Sequence, residues 1–131
     1  MADYSAKKID DMEAIYSGGF KRARAELGVE SFGMQVIDMP PAFGDYPEHD
    51  HAETAQEEVY VVLRGSAEVD VDGERVPIDT ETLIRVGPGA KRKIYPGDQG
   101  VRLLALGGTK GKPYEAGEFT QLGAPDPTAT N

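Results

Sequence analysis

The sequence predicts an all-β fold, a sandwich or barrel of mostly antiparallel strands. Seven or more short runs rich in Val, Ile, Leu and Tyr recur at spacings near ten residues, each bounded by turn residues. The chain carries 16 Gly and 9 Pro among 131 residues, which suits frequent chain reversal. At most one segment reads as a helix, and the connections are too short for parallel crossovers.

Residues 1–31 read as an N-terminal arm. Its first part is polar, with isolated apolar positions Ile9, Met12 and Ile15, and suggests a loose arm with short extended pieces. Phe20 to Gly28 (FKRARAELG) holds helix formers and ends on glycine, a residue suited to stop a helix. One or two helical turns are expected there, with a strand as the alternative. Residues 32–108 read as the barrel. Phe32 to Met39 (FGMQVIDM) is an apolar strand stopped by Pro40-Pro41, with Met34 on its inner face.

Glu58 to Arg64 (EVYVVLR) is the clearest strand, and Gly65 reads as the turn that closes it. In AEVDVDGERVPI, Val69 and Val71 alternate with acids, Asp72-Gly73 makes a hairpin turn, and Val76 and Ile78 resume the alternation. Short strands follow at Thr82 to Val86 and Lys91 to Tyr95, closed by Gly87-Pro88-Gly89 and Pro96-Gly97. Val101 to Gly108 is continuously apolar, as a strand covered on both faces would be. Residues 109–131 form a C-terminal segment whose end, APDPTATN, is expected to be disordered.

Composition excludes several functions. Without cysteine there is no disulfide, zinc–thiolate site or thiol nucleophile, and a reducing cytoplasm is the expected compartment. The formal charge of −9 repels phosphate backbones, so no nucleic-acid partner is expected. No apolar run is long enough for a signal peptide or a membrane span. No phosphate loop, nucleophile elbow or Ser-His-Asp pattern is present.

The chemistry concentrates in PEHDHAETAQEEVYVVLRG, Pro47 to Gly65, which holds both histidines of the chain. Residues two apart in an extended segment project to one face, so His49 and His51 point together. Glu58, Tyr60 and Val62 share one face of the next strand. Chance places two histidines this close in roughly 1.5% of random arrangements, so a shared role competes with a solvated acidic loop. Two imidazoles and one carboxylate are a donor set for a divalent metal such as Fe, Mn, Ni or Zn.

This stretch resembles the first signature of the cupin superfamily, G-x5-H-x-H-x3,4-E-x6-G. Glu58-x6-Gly65 matches its second half, His49 and His51 its histidine pair, and Gly44 its first glycine with four intervening residues instead of five. The gap from His51 to Glu58 is six residues, so the loop is longer than usual. The second signature, G-x5-P-x-G-x2-H-x3-N, aligns with Glu81 to Pro96 and survives as Gly87-Pro88-Gly89 and a strand; its histidine is Arg92. The resemblance covers residues 32–106. It implies a small single-domain double-stranded β-helix, or jelly-roll, barrel of the cupin 2 conserved-barrel type. Such a barrel has a ligand cavity at one mouth and is often a homodimer.

Arg92 shares parity with Ile94, so it faces inward if Ile94 does, leaving Lys91 and Lys93 to solvent. Arginine cannot ligate a metal. In one reading, His49, His51 and Glu58 still bind a divalent ion while Arg92 swings aside or holds an anionic substrate. In another, Arg92 pairs with Glu58 in place of a metal, and the cavity binds a small carboxylate or sugar acid. In a third, the barrel is a dimer module with a vestigial site, its Lys8 to Tyr16 arm exchanged between subunits. The intact His-His-Glu set favours the first. Tyr60 and Gln56 join Arg92 as candidate ligand-binding residues, Tyr60 with packing as the competing role. No catalytic residue or reaction is assigned, because a fold does not give a chemistry.

Overall fold

The computed structural model describes residues 2–128. The strands are β1 (Ala14–Ile15), β2 (Phe20–Lys21), β3 (Gly33–Met39), β4 (Gln56–Val71), β5 (Glu74–Ile78), β6 (Ile84–Val86) and β7 (Arg92–Thr109). One short helix, α1 (Ala23–Leu27), lies between β2 and β3. Among the described residues the strands pair in the order β1-β2-β3-β7-β4-β5, with β6 added to β4, and all pairings are antiparallel. The architecture is the expected all-β jelly-roll barrel.

Four of the expected strands are in fact two. β4 runs through Gly65 for 16 residues, and β7 runs through Pro96-Gly97 for 18. They pair from Gln56↔Thr109 to Val71↔Arg92, with register shifts between Val62 and Arg64 and between Gly65 and Ala67. Gly65, read from sequence as a turn, is a bulge residue at φ +83°. Bulges bend a ribbon without ending it, which is how the long pair wraps around the core. Both strands turn this corner on glycine. A Cβ on Gly65 would meet the Gly100 carbonyl oxygen at 2.2 Å, and one on Gly97 would meet Ser66 Oγ at 2.2 Å. The Asp72-Gly73 hairpin is as expected, both residues having positive φ (50° and 91°).

Inside the barrel, alternate residues of each strand meet: Ile37 and Met39 from β3, Tyr60, Val62 and Val69 from β4, and Ile94, Val101 and Leu103 from β7. Met34 belongs to the other face of β3. It packs in a second cluster with Met12, Ala23, Val36 and Leu104, outside the barrel and under the N-terminal segment. Gln35 therefore takes the inward position. β7 is covered on both faces because this second cluster seals its outer side.

The N-terminal segment is more ordered than a loose arm. It holds a 3-10 turn at Ile9–Asp11, β1, β2 and α1, which stops at Gly28 with φ 79°. Asp38 anchors it: Lys21 Nζ donates to Asp38 at 2.8 Å, Arg102 Nε donates at 2.8 Å, and Arg102 also pairs with Asp10. Arg22, 1% exposed, donates to Glu13 and to the carbonyls of Phe119 and Ala124, each at 2.8 Å. Of the end expected to be disordered, 124–128 carries such contacts, including a bond from the Tyr16 N–H to Asp126 at 3.0 Å. Residues 129–131 lie outside the described residues.

Gly65→Ala tests the corner. Positive φ and a backbone clash act together, so the variant should lose about 3 kcal/mol or more of unfolding free energy in urea titration. A loss below about 1 kcal/mol would show that the corner relaxes.

Candidate functional site

Strand alternation places Glu58, Tyr60 and Val62 on the barrel side of β4, with Glu57 and Leu63 exposed. Arg92 opens β7 on the same face as Ile94, and both are 0% exposed. Lys91 is exposed and Lys93 half-buried. The histidine loop is tied to β7 rather than built into a strand beside β4. His49 N–H donates to the Arg92 carbonyl at 3.0 Å, and Arg92 N–H returns a bond to the His49 carbonyl at 2.8 Å. His51 N–H donates to the Pro88 carbonyl at 2.8 Å. These backbone bonds turn both imidazoles toward Glu58, their ring centres 5.0 Å apart.

Four side chains converge on one oxygen, Glu58 Oε1. Arg92 Nη1 donates to it at 2.8 Å, the Tyr60 hydroxyl at 2.8 Å, and His51 Nε2 at 3.0 Å. His49 Nε2 stands 3.8 Å away, an ion-pair distance. A carboxylate only accepts, so His51 carries its proton on Nε2. His49 Nδ1–H donates to the Pro47 carbonyl at 3.0 Å, which turns Nε2 of a neutral His49 toward the cluster. The other two nitrogens of the guanidinium also donate: Nε to the Ala90 carbonyl at 3.1 Å and Nη2 to that of Gly87 at 2.6 Å.

Burial of Glu58 favours its neutral form, but nearby His49 and the hydrogen bonds from His51 and Tyr60 outweigh burial and hold its carboxyl well below the usual range. The Glu58 carboxylate in turn raises His49, against the effect of burial. Burial pushes the hydroxyls of Tyr46 and Tyr60 far up, so both stay protonated.

A cavity of about 1810 Å³ opens over this cluster and continues along the barrel toward the N-terminal segment. His49, His51, Glu58 and Gln56 line it. Tyr60 and Arg92 stand behind Glu58 and are not part of its lining. Three further lining residues carry no signal in the sequence motifs: Gln35, Tyr46 and Tyr114. Tyr114 and Gln56 lie on bare backbone, since a Cβ on Gly33 would meet the Tyr114 ring at 3.0 Å and one on Gly107 would meet Gln56 Nε2 at 2.6 Å.

His49, His51 and Glu58 each offer one donor atom, and these lie within 4.8 Å of one another. The spacing fits a divalent ion. The charge fits less well, because the Arg92 guanidinium cancels the one carboxylate of the set.

No family sequence model matches the chain, and no curated protein matches it by sequence. Solved structures do match. A cupin protein from Bacteroides fragilis aligns with a TM-score of 0.68 at 21% identity, over 92% of this chain and 95% of its own. The Cnp3 cupin domain of Schizosaccharomyces pombe aligns with a TM-score of 0.54 at 23% identity, over 61% of this chain and 57% of that one. The DMSP lyase DddQ of Ruegeria pomeroyi gives 0.54 at 24% identity, over 65% of this chain and 43% of its own. The chain has the cupin fold, in the form of one small barrel. These differently named proteins on one fold leave the chemistry to the site itself.

Removing the Arg92–Glu58 pair tests its energetics. Arg92→Met strands a buried carboxylate and should cost about 3–5 kcal/mol at pH 7 in urea unfolding, and Glu58→Gln added to it should recover part of that loss. The Glu58 carboxyl is depressed in the folded state, so its contribution is complete above the ordinary value of 4.5 and is lost as pH falls below it. The stability difference between wild type and Glu58→Gln should therefore shrink in melts taken stepwise below pH 4.5. A difference independent of pH would contradict the depressed carboxyl.

Proposed function

We propose that this protein is a small-molecule-binding cupin that works without a metal, its cavity taking a small organic anion at the His49–His51 pair. The observation that carries this is the fully buried guanidinium of Arg92, 2.8 Å from Glu58 Oε1. A divalent ion among His49, His51 and Glu58 would sit on the order of 5 Å from that fixed charge. At an effective dielectric near 20, the repulsion is about 3 kcal/mol per unit of ion charge, or about 6 kcal/mol for a 2+ ion before screening. An anion meets the opposite field. Arg92 neutralises the Glu58 carboxylate, which would otherwise repel a ligand carboxylate. His49, raised by Glu58, adds positive charge facing the cavity once protonated. In this reading Arg92 acts from behind Glu58 and does not touch the ligand, while Gln56 contacts it at the mouth. The role is binding or sensing.

A second reading has its own support. The three donors within 4.8 Å, and the His49 Nδ1–H bond that frees Nε2, suit Fe, Mn, Ni or Zn with open coordination positions.

Two measurements separate the readings. Mass-spectrometric metal analysis of untagged protein, after incubation with each of the four ions, should give less than roughly a tenth of an equivalent. A thermal-shift screen of small organic acids should raise the melting temperature with at least one, and the shift should vanish in the His49→Ala/His51→Ala variant. Stoichiometric metal with no shift from any acid would reverse the assignment. Arg92→His, which removes the charge and supplies an imidazole, should gain metal affinity by about tenfold or more.

A further inference from the structure

Gln35 is the one cavity-lining side chain with a buried polar atom left without a partner among the described residues. It is 8% exposed, and its Oε1 has no hydrogen-bond partner among the described residues. A buried amide oxygen without a partner is costly and uncommon in a folded core. Gln35 lines the same cavity as His49, His51, Gln56 and Glu58. The inward parity of β3 puts it there, between Gly33 and the apolar inward positions Ile37 and Met39.

The register fixes where it stands. Gln35 pairs with Ala105 of β7, and Ala105 pairs with Tyr60 of β4. The adjacent inward row is Gly33, Gly107 and Glu58. Gln35 is thus two strand spacings from β4, on the order of 10 Å between backbones. Between them β7 presents only Ala105 and Gly107, and the side chains of Gln56 and Tyr114, which lie over Gly107 and Gly33, form the surface between the Gln35 amide and the Glu58–histidine cluster.

We propose that Gln35 is a second ligand subsite and that it sets the ligand class: a linear carboxylic acid bearing a hydroxyl several carbons from the carboxyl group. This rests on the anion reading above, which puts the carboxylate at His49 and His51. A hydroxyl is the group that fits Gln35, since it both donates and accepts and so satisfies the amide in either orientation. The separation of the two subsites excludes a hydroxyl on the carbon next to the carboxyl group, which could not reach both. An unhydroxylated chain would leave the amide unpartnered, and sites built for a hydroxyl reject the analogue that lacks it.

Isothermal titration with 6-hydroxyhexanoate, 2-hydroxyhexanoate, hexanoate and 1,6-hexanediol tests this. The wild type should bind 6-hydroxyhexanoate about tenfold or more tightly than hexanoate or 2-hydroxyhexanoate. Gln35→Leu should bind the three acids equally, keep the hexanoate affinity of the wild type, and melt at the same temperature or higher because an unpaired amide is gone. Gln35→Asn, which keeps the amide but shortens its reach, should lose most of the preference and decides the matter should Gln35→Leu not fold. Equal binding of 6-hydroxyhexanoate and hexanoate by the wild type, or a preference that survives both substitutions, overturns the subsite. So does a markedly lowered melting temperature in Gln35→Leu with its preference intact. Binding of 1,6-hexanediol that depends on Gln35, without binding of any acid, would sink the anion reading and leave the subsite standing. No binding of any of the four compounds would remove both.

Discussion

A carboxylate cannot be buried unpaired, and the site is organised around that constraint at Glu58. Its Oε1 accepts from Arg92, Tyr60 and His51, with His49 close by. Each donor comes from a different place: β7, β4 itself and the loop before β4. The loop is long and acidic, and Phe43 and Tyr46 pack its first part against the core. Its histidine end is held by backbone bonds to Arg92 and Pro88 and by the ring contact to Glu58. The arginine serves two ends at once. Its side chain compensates the charge, and its main chain holds His49 in place. Any change at position 92 therefore acts on the geometry of the histidines as well as on the field they experience.

The long β4–β7 ribbon makes this convergence possible. Because the two strands stay paired around the corner, Glu58 near one end of β4 and Arg92 at the start of β7 approach each other across the barrel rather than along the ladder. Their sequence neighbours on the ladder are different residues altogether: Glu58 pairs with Gly107, and Arg92 with Val71. The site is thus a product of barrel closure, and the packed row of Tyr60, Val62, Ile94 and Leu103 beneath it is its mechanical support.

Much of this is legible in the sequence, for identifiable reasons. Valine occupies both parities of EVYVVLR, so it is the Glu58-x6-Gly65 spacing of the signature that marks the inward face of β4, while Ile94 marks that of Arg92. FGMQVIDM is different. Apolar residues occupy both parities, since β3 is covered by the barrel core on one side and by Met12 and Ala23 on the other. Parity is then ambiguous, Met34 reads as the inward residue, and Gln35 is hidden. The two corners are illegible for another reason. Glycine and proline mark any departure from regular extended backbone, and Gly65 or Pro96-Gly97 looks the same locally whether the chain reverses or only bends. Which of its readings Arg92 follows also lies beyond the motif, because its contact with Glu58, 34 positions away, is made only when the barrel closes.

Arg22 ties residues from opposite ends of the described chain, with hydrogen bonds spanning 97 and 102 positions to Phe119 and Ala124. Closing a loop of that size costs more chain entropy than forming any hairpin of the barrel. The barrel's own ladder can form first, from hairpins such as β4–β5. The N-terminal segment and the C-terminal strap can then dock as one late unit, held by the cluster of Met12, Ala23 and Val36 together with ion pairs and carbonyl contacts. Local opening of a folded protein starts from its least cooperatively held units, and Tyr16, Phe20 and Phe119 of this unit line the far part of the cavity, so its opening would uncover the cavity at the end away from the histidines.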